Sequence, residues 1–160
     1  IGTLVYTNEY QSIRPAMKKD VRAVYNLIQQ GVKDDELVRR TRADVEKTIG
    51  DYFVFEVDRN PVGCIALHLY PQQNKGELAS VYVDTRYGNQ GIGLKLIQYV
   101  EDAARAKGLG QIFCLSTQAI NYFVQKGGFK LGTPDDLPPA RRERYDQNGR
   151  NSQVLIKTLA

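Results

Sequence analysis

The sequence has few of the residues that build redox, metal or membrane sites. It holds only two cysteines and one histidine. Each cysteine, Cys64 in VGCIAL and Cys114 in IFCLS, lies within an apolar run. That is the setting of a buried free thiol in a reducing compartment, and it excludes a disulfide scaffold. We assign no metal site and no membrane partner, since no apolar stretch approaches the ~20 residues that span a bilayer. No Gly-Lys-Ser/Thr follows a glycine-rich turn, which excludes a Walker loop. The net charge is only +4, without a basic stripe or interleaved aromatics, so a small polyanion suits the chain and nucleic acid does not. There is no low-complexity tract and no internal repeat. The chain starts at Ile1 rather than methionine and shows no charged leader, which suggests an excised segment whose residues 1–11 are a linker remnant.

What is present fits one soluble domain over 1–160, a length that supports a single core. Ile13 to Ala16 reads as a short strand ending at a proline. Asp20 is placed to cap a helix carrying Val21, Val24, Leu27 and Ile28 at helical spacing. Leu37 to Val45 reads as a loop leading into a second helix with a basic exposed side. Tyr52 to Val57, Pro61 to Tyr70 and Gly76 to Val83 are β-rich and should form an antiparallel meander, the first two separated by the hairpin signal Asp58-Arg59-Asn60-Pro61, in which Asn60 and Pro61 supply the turn chemistry. Gly91 to Lys107 carries a helical stripe of Ile92, Leu96, Ile97, Val100, Ala103 and Ala104, ended at Gly108. Ile112 to Leu115 reads as a buried strand and Ala119 to Gln125 as a short helix, with further strands at Phe129 to Leu131 and Val154 to Leu159. Pro134 to Gly149 is polar and proline-bearing and reads as a long loop.

The succession GELASVYV, DTRYGNQGIG and then a helix carries the chemistry. A glycine-rich turn opening a helix aims free backbone N–H groups and the helix dipole at an anion, and a pyrophosphate suits it. Gly91 and Gly93 lack the Cβ that would keep a ligand away, and Asn89 tolerates left-handed backbone. The turn is not the G-x-G-x-x-G of a dinucleotide fold, and the strands before it read as antiparallel. Taken alone, a G-x-G turn is more often an ordinary strand-to-helix connection.

In this context the chain resembles the GNAT superfamily of acetyltransferases, whose cofactor loop follows R/Q-x-x-G-x-G/A after a strand and whose later strand begins at Gly-Phe. Gly88 to Gly93 and Gly128-Phe129 hold those places, with Gly88 standing where the family has Arg or Gln. The resemblance implies an α/β (α+β) fold: a central mixed, mostly antiparallel twisted sheet flanked by helices. It implies acetyl-CoA as co-substrate, with backbone groups of Val81, Tyr82 and Val83 on the pantetheine arm. Amides of Gly88, Asn89, Gln90, Gly91, Ile92 and Gly93 would hold the pyrophosphate.

YTNEYQSIRPA, LVRRTRADVE, GELASVYV and LPPARRERYDQNGRNSQVLIKTL together resemble the acetyltransferase domain of the N-acetylglutamate synthase family. The likeness runs from about Tyr10 to Leu159. It implies L-glutamate as acceptor in arginine biosynthesis, held by Leu37, Arg39, Arg141, Arg150 and Ser152, with a main-chain contact at Ser80. Guanidinium forks suit a dicarboxylate. Any one of these arginines alone would be an ordinary solvated surface residue, and Arg142 and Arg144 are read that way. The family also implies an amino-acid-kinase-like domain in the parent chain, homo-oligomerisation through it, and a cytoplasmic or organelle-matrix location. Alternatives are a GNAT enzyme for another small amine or a protein N-terminus, and a non-catalytic acyl-CoA-binding domain.

Acetyl transfer needs a positioned amine, a base, and stabilisation of oxyanion and thiolate. Direct attack is expected, because neither cysteine has a sequence-adjacent activator. Glu77 is the candidate base; its alternative role is an ion pair at a strand end. His68, in ALHLY, is read as a sheet residue. Tyr122 is the candidate acid, one residue from the position that relatives use, which falls here on Phe123 or Val124. Ser116 or Thr117 replaces an Asn found in some relatives.

Overall fold

A computed structural model describes residues 11–159, so the expected linker remnant lies outside it except for Gln11, which opens the first strand. The elements in chain order are β1 Gln11–Pro15, α1 Val21–Lys33, α2 Arg42–Lys47, β2 Tyr52–Val57, β3 Asn60–Tyr70, β4 Lys75–Val83, α3 Ile92–Ala106, β5 Gln111–Ser116, α4 Ile120–Gln125, β6 Lys130–Leu131, α5 Pro139–Asn148 and β7 Gln153–Thr158. The strands order as β1-β2-β3-β4-β5-β7-β6. The pairs β1–β2, β2–β3, β5–β7 and β6–β7 are antiparallel, whereas β4 and β5 run parallel. This is the mixed, mostly antiparallel α/β fold that the sequence implies. No helix among the described residues is long and apolar enough to cross a membrane.

Two compact units divide the chain, the first comprising the described residues through Ala66 with Ser80–Leu96, the second Leu67–Ala79 with the residues from Ile97 on. In the first unit, α1 turns Val21, Val24, Leu27 and Ile28 inward, as its spacing requires. Asp20 stands at the N-cap position of α1 but makes no cap hydrogen bond to the helix. Its Oδ2 instead accepts from the Met17 N–H at 2.7 Å. The Arg14 guanidinium donates to both Asp20 oxygens at 2.7 and 2.9 Å and to Glu56 at 3.0 Å. The Arg14 hydrogen bonds hold the Asp20 carboxyl below its ordinary range, against the opposing effect of burial.

The β2–β3 turn falls within the expected Asp58-Arg59-Asn60-Pro61 stretch, but not on Asn60 and Pro61. Asp58 and Arg59, with φ of 49° and 70°, are its two left-handed residues, the geometry of a tight primed hairpin. Asn60 and Pro61 belong to β3, and the register shifts at Phe55/Glu56, where Pro61 faces Glu56. Proline has no N–H to give the ladder, so it sits at this irregularity.

In the second unit, β5 pairs with β7 along its whole length, from Gln111↔Thr158 to Ser116↔Gln153. Ile112, Phe113 and Leu155 are fully buried there. The α3 stripe buries Ile97, Val100 and Ala104, and Gly108 stops the helix with φ 79°. Pro134 to Gly149 is not a long loop. It forms one 3-10 turn, Pro134–Asp136, and then the ten-residue helix α5. Pro139 begins this helix and Gly149, left-handed at φ 64°, ends it. No α5 residue is fully buried, and the apolar periodicity that would reveal a helix is absent from this stretch.

Candidate active site

In the first unit the glycine-rich turn is built from β4 outward. Asp84 is buried, and its N–H donates to Val62 O at 2.8 Å. Its carboxylate accepts from Arg86 N, Nε and Nη2 at 3.0, 3.2 and 2.8 Å, closing the 3-10 turn Thr85–Tyr87. The chain then passes through Asn89 (φ 62°) and Gly91 (φ 74°), both left-handed, as expected for Asn89. Lys95 N–H is bonded to Gly91 O at 3.1 Å. The N–H groups before it have no acceptor one turn back and point out of the helix end, where an anion fits. Gly63 makes room for this helix start, since a Cβ there would lie 3.2 Å from Leu96 Cδ1 and 3.4 Å from both Ile92 Cγ2 and Tyr82 O. Gly63 carries no motif signal; only the strand pairing shows its purpose.

Within β4, Ser80 is left-handed at φ 54°. A non-glycine residue with this conformation inside a strand bends it locally and re-aims its backbone groups. The Cys64 thiol donates to Ser80 O at 3.4 Å, and the hydroxyls of Tyr52 and Ser80 lie 3.4 Å apart. Burial raises the Tyr52 hydroxyl above its ordinary range, opposed by the Ser80 hydrogen bond and the Arg40 charge. Sequence reasoning assigned neither Tyr52 nor Arg40 to this cluster; a hydroxyl in a strand, YFVFEV, whose one charged residue is Glu56 was the available signal. Pairing of β4 to β5 covers only Lys75–Glu77 against Gln111–Phe113, although β4 continues to Val83.

The segment after α1 carries Leu37 and Arg39. Glu36 and Leu37 N–H both donate to Gly31 O, at 2.8 and 3.1 Å. Leu37 lies so close to Gly31 that a Cβ there would be 2.6 Å from Leu37 Cδ1. Arg39 is exposed, and among the described residues its guanidinium has no hydrogen bond or ion pair. Thr41 Oγ1 then caps α2 by accepting from Asp44 N–H at 3.1 Å.

In the second unit Glu77 and Arg141 meet. Glu77 is buried, and Arg141 Nε donates to its Oε1 at 2.9 Å, with only 15% of the Arg141 side chain exposed. The candidate base and a candidate acceptor ligand are thus one ion pair. Two further contacts fasten α5: Arg144 Nη2 to Tyr70 OH at 2.7 Å and Tyr145 OH to Ser152 O at 2.8 Å. Arg144 is exposed, as read from sequence, yet it holds this contact; Arg142 pairs with Asp135 and Asp146 at the surface. Arg150 is exposed, with its backbone N–H on Asn148 Oδ1, whereas Ser152 is buried.

On α4, Tyr122 is 38% exposed while its neighbour Phe123 is buried, edge-on to Phe129 at 5.6 Å. Adjacent helical residues diverge by ~100°, so the aromatic core takes Phe123 and leaves Tyr122 outside it. Burial raises the Tyr122 hydroxyl. Ser116 Oγ accepts from Ala119 N–H at 2.9 Å, which opens α4. His68 lies half-buried in β3. Both cysteines are free and buried; desolvation pushes the Cys64 thiol up to about 12 and raises Cys114 further. Neither is a thiolate at neutral pH.

The acetyltransferase (GNAT) family matches residues 18–129. The amino-acid acetyltransferases of Ralstonia nicotianae and Neisseria meningitidis serogroup A are 37% and 33% identical over 159 residues, 99% of this chain but only 35% and 36% of theirs. The structure of N-acetylglutamate synthase from Neisseria gonorrhoeae, complexed with coenzyme A and N-acetyl-glutamate, matches with a TM-score of 0.89 at 33% identity. That match covers 94% of this chain and 35% of the other. The chain therefore spans about a third of the length of these relatives.

Proposed function

The chain belongs to the acetyltransferase (GNAT) family, and from that premise we propose that it transfers the acetyl group of acetyl-CoA to the α-amino group of L-glutamate. One observation carries the acceptor: within the first unit Arg39 presents an exposed guanidinium without a protein partner among the described residues, and glutamate brings carboxylates for such a fork; Arg150 joins it by the family resemblance. The relative from Neisseria gonorrhoeae, whose structure contains coenzyme A and N-acetyl-glutamate, supports the same choice. Leu37 and Ser152 complete this acceptor set by the family resemblance, and Arg141 adds its remaining donors.

The donor side follows from backbone geometry. Amides from Gly88 through Gly93 receive the pyrophosphate, and Val81, Tyr82 and Val83 offer main-chain groups to the pantetheine arm. In the reaction the amine nitrogen attacks the thioester carbon, the new C–N bond forms, and the C–S bond breaks. Glu77, directly or through water, takes the ammonium proton before attack; the Ser80 backbone contacts the acceptor, Tyr122 gives a proton to the departing thiolate, and the nitrogen's second proton leaves on collapse of the intermediate and restores the tyrosine by way of solvent. The protonated state of Cys64 and Cys114 supports direct attack over an acetyl-cysteine intermediate.

The parent protein of this reading serves arginine biosynthesis in the cytoplasm or an organelle matrix. It has one acetyltransferase domain over 1–160 and an amino-acid-kinase-like domain through which it oligomerises. Coenzyme A release measured over a panel of amines tests the acceptor. Glutamate should accelerate release well beyond other amino acids, small amines and N-terminal peptides. Preference for another member reassigns the acceptor, and stoichiometric acetyl-CoA binding without turnover on any amine identifies a non-catalytic acyl-CoA-binding domain.

A further inference from the structure

We propose that Tyr82 is a positioning residue for the acceptor: through Asp34 its hydroxyl holds the 34–41 segment, and with it Arg39, in place. The inference rests on the reading of Arg39 as a glutamate ligand. Tyr82 OH donates to Asp34 Oδ2 at 2.8 Å, and the Tyr82 side chain is buried. A phenol-to-carboxylate bond of this kind is charge-assisted and stronger than a neutral one.

The same ring rests over Gly31. A Cβ at Gly31 would lie 3.0 Å from Tyr82 Cδ1 and 2.6 Å from Leu37 Cδ1, so the missing side chain lets both residues close down on α1. The helix end is drawn together here. Asp34 N–H donates to Gln30 O at 3.0 Å, Glu36 and Leu37 N–H share Gly31 O, and Asp35 reverses the chain at φ 61°. Downstream, Thr41 is fixed as the cap of α2. Only Val38, Arg39 and Arg40 lie between these anchors, so where Arg39 points is set by the anchors rather than by contacts of its own.

Tyr82 therefore has two faces. Its backbone belongs to the β4 segment read as the pantetheine rest, and its side chain secures the loop that carries the acceptor arginine. Neither Asp34 nor Gly31 has a motif signal.

The test is steady-state kinetics on Tyr82→Phe, Asp34→Ala, Asp34→Asn and Arg39→Ala, with Tyr82→Phe also placed in the Arg39→Ala background. Tyr82→Phe keeps the buried ring and should fold. It and Asp34→Ala should each raise the glutamate KM about five- to tenfold, the size of one lost hydrogen bond of ordinary net strength felt through the loop. For Asp34→Ala, kcat at saturating glutamate and the acetyl-CoA KM should stay put. Asp34→Asn keeps an oxygen acceptor and should restore most of the affinity. Once Arg39 is alanine, adding Tyr82→Phe should raise the glutamate KM no further. An unchanged glutamate KM in Tyr82→Phe, or additivity with Arg39→Ala, overturns the inference while the acceptor assignment stands. If Arg39→Ala itself leaves the glutamate KM unchanged, the acceptor assignment fails and this positioning role fails with it. Amide hydrogen exchange across 34–41 separates the structural part: it should quicken in Tyr82→Phe, and unchanged exchange means Asp34 and Tyr82 hold nothing.

Discussion

Arg39 and Arg141 are proposed for one ligand but live under opposite conditions. Arg39 is exposed, has no protein partner among the described residues, and stands on a short span between two anchors. Arg141 is mostly buried and already holds Glu77 at 2.9 Å. The first can spend its whole fork on a carboxylate. The second keeps Nε on Glu77 and has its terminal amino groups left to offer, so its place in the site and its place in the fold are the same contact. Truncating the two arginines should therefore give different signatures, one in stability and one in substrate affinity.

The largest effect is expected from Arg141→Ala. It leaves a buried carboxylate without its cation, a change that typically costs about 3 kcal/mol, visible as a lower denaturation midpoint. Replacing Glu77 by Leu in the same variant should recover part of this, because the stranded charge is gone. An Arg141→Ala protein as stable as the parent would remove the contrast between the two arginines.

Next comes Arg39→Ala. It should raise the glutamate KM tenfold or more, as loss of a charge-assisted bond does, with stability within about 0.5 kcal/mol of the parent. A drop in stability without a change in KM would make Arg39 structural.

Arg14 offers a third case, an arginine held by two carboxylates and given no part in the site. Because the folded-state pKa of Asp20 is depressed, its stabilisation is present above the ordinary carboxylate value of ~3.9 and is lost as pH falls through the lower folded value. The Arg14 side chain is 23% exposed, so Arg14→Met should cost between the ~1 kcal/mol of an exposed pair and the ~3 kcal/mol of a buried one at neutral pH and flatten the loss of stability below pH ~4. Thermal midpoints across the acid range check this. Identical profiles for variant and parent would show that Asp20 is not held by Arg14.

The smallest effect belongs to Arg144→Ala. Its bond to Tyr70 is exposed, and exposed contacts contribute from nothing to about 1 kcal/mol. Stability should barely move, and a loss as large as that of Arg141→Ala would mean that the Tyr70 contact, not Glu77, fastens α5.

What the sequence discloses depends on how local the signal is. The glycine-rich turn was legible because its backbone requirements are written in neighbouring residues: Asn89 and Gly91 are the types that accept the left-handed backbone found there. The α3 stripe and its Gly108 stop were legible for the same reason. Helix α5 was hidden because none of its residues is fully buried and it has no apolar period; Pro139 and Gly149, its boundary marks, were read as loop chemistry. Asp20 looked like a helix cap, but Arg14 and the Met17 N–H outcompete the helix for its oxygens. The Glu77–Arg141 pair joins residues 64 positions apart. Only the docking of α5 brings it about, although an ion pair was a recognised alternative for Glu77. Tyr82 and Asp34, 48 positions apart, left no trace in either local pattern.

The product proposed for this chain is N-acetylglutamate. Mass spectrometry of a reaction containing the chain, acetyl-CoA and L-glutamate measures it directly. An N-acetylglutamate peak should grow with time, require both substrates, and at limiting glutamate be strongly reduced by Arg39→Ala. No such product, from a folded chain that binds acetyl-CoA, would contradict that assignment.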